Sequence, residues 1–117
     1  ADVGAHVAVR RAGASHDAYG ALRLDAELAV VRDADAFDHR AHVFNIVVID
    51  EASGRAFEMN YHRAVRVRRV ARDAVHVTLT VPWWTDAPPR AGRLVVVADM
   101  QVLHSELAWA CAPRDAA

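Results

Sequence analysis

Residues 21–31 read ALRLDAELAVV, and the fold turns on whether they form a strand or a helix. Leu22, Leu24, Ala26, Leu28 and Val30 occupy alternate positions, with Arg23, Asp25 and Glu27 between them. A period of two gathers apolar groups on one face of a strand, whereas a helix would scatter the same residues around its axis. Ala, Leu and Glu are nevertheless good helix formers. The unbroken alternation predicts a strand, and the chain is then all-β. With residues 15–37 helical instead, it becomes α+β: one helix packed on an antiparallel sheet in a hot-dog-like arrangement.

The same period recurs along the chain. In AHVAVRR, Val7 and Val9 share a face opposite His6 and Arg10. HVFNIVVID is apolar on both faces and reads as a central strand covered on both sides. EASG supplies a tight turn, with Gly54 free to take positive φ. The chain then returns through RAFEMNYH, where Phe57, Met59 and Tyr61 alternate with Glu58, Asn60 and His62. AVRVRR and AVHVTLTV give two further strands around the turn ARD. PWWTDAPPRAG is a long loop holding three of the four prolines, which cannot donate to a central ladder. RLVVVADMQVLHSELAW completes the pattern as one long bent strand or two short ones, and CAPRDAA is a tail. The expectation is a single domain over residues 1–117, an antiparallel barrel or sandwich of seven or eight strands.

Composition narrows the function classes. The chain has 117 residues, 54% hydrophobic and 25% charged, which is enough to bury a core without disulfides. A net charge of -1 gives no global attraction to nucleic acid or to an acidic membrane surface. No apolar run reaches the roughly 18 residues of a membrane span. The single Cys111 makes no internal disulfide, and its apolar context suits a small hydrophobe better than a nucleophile. Every one of the fourteen basic residues is Arg, a bias of GC-rich bacterial genomes. A chain beginning at Ala1 is expected to be cytoplasmic, with an exported mature protein as the alternative.

Seven histidines are more than a chain of this length ordinarily carries. On the strand assignments His6, His62, His76 and His104 face away from the core aliphatics, with Arg10, Glu58, Asn60, Thr78, Thr80 and Glu106. In a sandwich that face is solvent; in a barrel it can be a lumen. A lumen would bring Glu58, His62 and His76 together for proton transfer. Trp83 and Trp84, side by side in the proline-rich loop, would gate such a cavity or plug the core, with Tyr61 and Asn60 in its wall. DADAFDHRAH at residues 33–42 offers His39 and His42 as metal ligands. It lacks the Gly and Glu of a calcium loop, so an acidic turn is the plainer reading. Arg63, Arg66, Arg68, Arg69 and Arg72 form a basic run able to hold a phosphate or simply to blunt an edge strand. Ser15 and His16 are neighbours in a loop, and Met59, Tyr61 and Met100 fill gaps in the core. The functional expectation is a binder of a small apolar molecule, with isomerase, cyclase or thioesterase-like acid/base chemistry in its cavity. The alternatives are a histidine-rich metal protein and a non-enzymatic module that forms a homodimer through its Trp loop.

Overall fold

A computed structural model describes residues 3–16, 21–54, 56–58, 65–81, 90–103 and 107–111. Its strands are β1 (Val7–His16), β2 (Leu22–Val30), β3 (Phe44–Asp50), β4 (Ala56–Glu58), β5 (Val65–Ala71), β6 (Ala74–Val81), β7 (Ala91–Ala98), β8 (Gln101–Val102) and β9 (Leu107–Ala110). The only helical pieces among the described residues are two short 3-10 turns, Val3–Ala5 and His39–Ala41. Residues 22–30 are therefore a strand, as their alternation predicts.

The strands build two antiparallel sheets. The first runs β1-β2-β6-β5, the second β4-β3-β7, with β8 and β9 both on the free edge of β7. A single parallel bridge, Ala14 to Cys111, joins β1 of the first sheet to the end of β9. The described strands do not close into a barrel; of the two expected architectures, the sandwich is the one observed.

Alternation places the core. Leu22, Leu24, Leu28, Val75, Val77 and Leu79 from the first sheet meet Ile46, Val48, Leu94 and Val96 from the second, all 1% exposed or less. Fully burying one such side chain contributes roughly 1.5–3 kcal/mol, so a register slip on β2, which would turn Leu22, Leu24 and Leu28 to solvent, is strongly disfavoured. Among the described residues no polar or charged side chain is buried. The space between the sheets is filled with hydrocarbon.

Several local expectations change. β1 continues to His16, so Ser15 and His16 lie in a strand rather than a loop; a register shift between Val9 and Arg11 keeps Ala12 and Ala14 facing the core. β3 is central, flanked by β4 and β7, yet Asn45, Val47 and Ile49 are only half-buried, so its outer face is only partly covered. The segment expected as one or two strands folds back at Asp99 and Met100 and divides into β7, β8 and β9. Met100, expected in the core, sits at the tip of that turn and is 96% exposed. Gly54 takes φ +69 in the turn after β3, where Asp50 Oδ2 accepts from the Ser53 hydroxyl at 2.7 Å. Trp109 lies in the core and donates from Nε1 to the Arg93 carbonyl at 2.9 Å.

Candidate functional site

The outer face of the first sheet is a lattice of polar side chains set by register. Arg11 stands opposite Glu27, Glu27 opposite His76, and His76 opposite Arg68. In the next row Gly13 faces Asp25, Asp25 faces Thr78, and Thr78 faces Arg66. The Arg11 guanidinium donates to the Glu27 carboxylate, Thr78 Oγ1 donates to Asp25 Oδ1 at 2.7 Å, and Arg23 Nε lies 3.5 Å from Asp25 Oδ2. These contacts pair two carboxylates with two guanidiniums on the outer face.

One position in the lattice has no side chain. Gly13 lies inside β1, and no atom of the described residues comes within 4 Å of where its Cβ would be. Gly92 is different: a Cβ there would meet the Ile49 carbonyl oxygen at 1.9 Å, so close packing of β3 on β7 requires a glycine. Gly54 has its positive φ. At Gly13 neither φ nor crowding demands glycine. It lines an open groove of about 440 Å³ together with Arg11, Arg23, Asp25, Glu27 and His76.

A second cluster lies at one end of the sandwich, around residues 31–43. Phe37 is buried, with the His42 ring stacked on it at 5.3 Å and 9° and the His6 ring at 6.1 Å. The Arg69 guanidinium lies 5.8 Å from the Phe37 centroid and donates to the carbonyls of Phe37, Ala34 and Arg72. Arg72 grips Asp35 through Nε at 2.6 Å and Nη2 at 2.9 Å. His42 Nδ1 lies 2.7 Å from Asp99 Oδ2, while Asp99 Oδ1 accepts from the Val43 amide at 2.9 Å. The Val43 amide first and the His42 ring second hold the Asp99 carboxyl below the usual carboxylate range. Arg72 does the same for Asp35, and the Arg40 amide for Asp38. The acidic stretch is a pinned loop.

The sequence candidates fall as follows. His76 is half-buried in the groove. Glu58 belongs to β4 of the other sheet, in register with Val47, so these two are not brought together. Asn60, Tyr61, His62, Trp83 and Trp84 lie outside the described residues, as do Met59, Arg63, His104 and Glu106. His39 opens the 3-10 turn, but the chain leaves that turn extended at His42 (φ -123, ψ 149), whose ring goes to Asp99 and Phe37. Among the described residues no three His, Cys, Asp or Glu side chains converge as a metal set. Cys111 is half-buried against the core, 3.9 Å from His16 Nε2, and burial pushes its thiol up. Sequence reasoning placed Arg23, Asp25 and Glu27 on the outer face but passed over Gly13, although a glycine inside a strand signals that something approaches the backbone. Among the described residues no helix is long and apolar enough to cross a membrane. Comparisons with protein-family models, with curated proteins and with solved structures give no match.

Proposed function

We propose that the protein is a small-molecule-binding β-sandwich whose ligand lies across the outer face of the first sheet, over Gly13. One observation carries this: the only strand glycine that neither conformation nor packing requires among those described opens a recess amid Arg11, Arg23, Asp25, Glu27 and His76. Charged walls favour a polar, hydroxyl-bearing molecule, such as a sugar or polyol, over the apolar one suggested by the aliphatic content. Vicinal hydroxyls match the paired oxygens of a carboxylate and the paired N–H groups of a guanidinium. The groups in the groove able to move a proton are His76, Glu27 and Asp25, and proton transfer on the bound molecule is the chemistry an enzyme on this face would use.

The test is amide chemical-shift mapping with glucose and other monosaccharides on the native chain and on Gly13→Val. Saturable shifts at Gly13, Asp25, Glu27 and His76, lost in the variant, are expected. A variant that binds as the native chain does would place the ligand elsewhere. The self-association reading finds separate support in Val43, Met100 and Val102, which are 59%, 96% and 64% exposed around one turn. It requires a dimer by sedimentation that Met100→Gln weakens.

A further inference from the structure

The groove is not electrically even. On its β1–β2 side each guanidinium has a carboxylate: Arg11 has Glu27 and Arg23 has Asp25. On β5, Val65 and Val67 pack against the core, so Arg66 and Arg68 project from the outer face and are exposed. Neither has a carboxylate partner among the described residues. They occupy alternate positions on one strand, roughly 7 Å apart, where like charges repel. Facing them across the ladder are His76, able to donate a hydrogen bond, and Thr78, whose hydroxyl proton is given to Asp25. β5 is also the edge of its sheet, which leaves this pair open to approach.

We propose that the ligand of this groove carries a phosphate group, held between Arg66 and Arg68 with His76 beneath it, while its hydroxyl-bearing body crosses β6 to Asp25 and Glu27 on β2, at the near wall of the recess over Gly13. This rests on the groove reading above. Two guanidiniums set side by side suit a phosphate, whose oxygens accept paired N–H donors from each. From β5 to β2 is two strand spacings, about 10 Å, a span that a hexose phosphate covers and inorganic phosphate does not. The carboxylates at Asp25 and Glu27 repel a second anionic group at the far end, so the ligand has one charged end and one neutral, hydroxylated end. A phosphorylated monosaccharide has this shape and charge.

The experiment is a set of parallel amide-shift titrations with inorganic phosphate, glucose, glucose 6-phosphate and a single-stranded oligonucleotide. They are run on the native chain, on Arg66→Gln/Arg68→Gln and on Gly13→Val. Inorganic phosphate is expected to shift Arg66, Arg68 and His76, and the double Gln variant to abolish that shift. Glucose 6-phosphate binds more tightly than either fragment and loses about tenfold in affinity in the double variant. Arg66→Lys/Arg68→Lys, which keeps the charge but not the fork, falls between. Phosphate shifts spread evenly over Arg10, Arg32 and the β5 pair would overturn the assignment, as would an oligonucleotide that outbinds the sugar phosphate. Glucose at Gly13 with no phosphate effect on β5 would sink the phosphate site alone and leave the groove. Phosphate on β5 with no sugar-dependent shifts at Asp25 and Glu27 would sink the groove and keep the anion site.

Discussion

At the scale of single residues, the backbone marks where sequence and conformation agree and where they conflict. Asp99 and Met100 form the two-residue turn between β7 and β8, with φ of 50° and 66°. Positive φ at both centres is the signature of a type I′ turn, which Asp tolerates and a long unbranched side chain does not. Met100→Gly is therefore expected to raise stability by about 1 kcal/mol, read from the midpoint of urea unfolding. At Gly13 the ordinary backbone and open surroundings mean that Gly13→Val should also stabilise, by about 0.5–1 kcal/mol, while it fills the recess. The same exchange at Gly92 would force β3 from β7. The turn at Asp99 and Met100 was illegible because Met is so poor a turn residue. Inside VVVADMQVL the apolar alternation runs on without the Gly or Asn that normally announces a reversal.

At the scale of elements, the loop between β2 and β3 is held by groups far away in sequence. Arg69 donates to two of the loop's carbonyls, Phe37 and Ala34, and to the Arg72 carbonyl in the turn after β5. Arg69→Met keeps the stem but leaves those carbonyls without their donor, and should cost about 2–3 kcal/mol. Asp99 fastens the other end of the loop through Val43 and His42. Its carboxyl titrates lower in the folded chain than in the unfolded one, so the unfolded chain takes up its proton first as pH falls. The stabilisation is complete at neutral pH and drains away below about pH 4. Asp99→Asn should flatten that part of the stability-versus-pH curve; an unchanged acid limb would show that the pairing contributes nothing. Sequence alone read DADAFDHRAH as an acidic turn between two strands or a pair of metal ligands, and it lies between β2 and β3. Its partners were out of reach, since Asp35 meets Arg72 and His42 meets Asp99 only once both sheets are in place.

At the scale of the whole molecule, the period-two pattern was the most legible feature. Leu22 to Leu28 and Val75 to Leu79 alternate so regularly that only a sheet face buries their apolar residues together, and the sandwich follows from stacking two such faces. Which strands are neighbours was not legible, because β2 pairs with β6 across some fifty residues and alternation carries no partner information. The candidate site shared that limit: Glu27 and His76 are adjacent through this same pairing. Because both sheets line one core, Leu24→Ala and Ile46→Ala should each cost about 2–5 kcal/mol. Each should also lower a single transition monitored by Trp fluorescence and far-UV circular dichroism together. Two separated transitions would mean the sheets unfold independently.

The bridge from Ala14 to Cys111 gives the molecule a built-in clock. The chain has one cysteine, and it sits half-buried where β1 of one sheet bridges to the end of β9 in the other. Parting of that margin would expose the half-buried thiol fully, so a faster rate of modification reports more frequent breathing of the sandwich there. Compared with global unfolding in the same buffer, that rate separates fraying at one margin from collapse of the core.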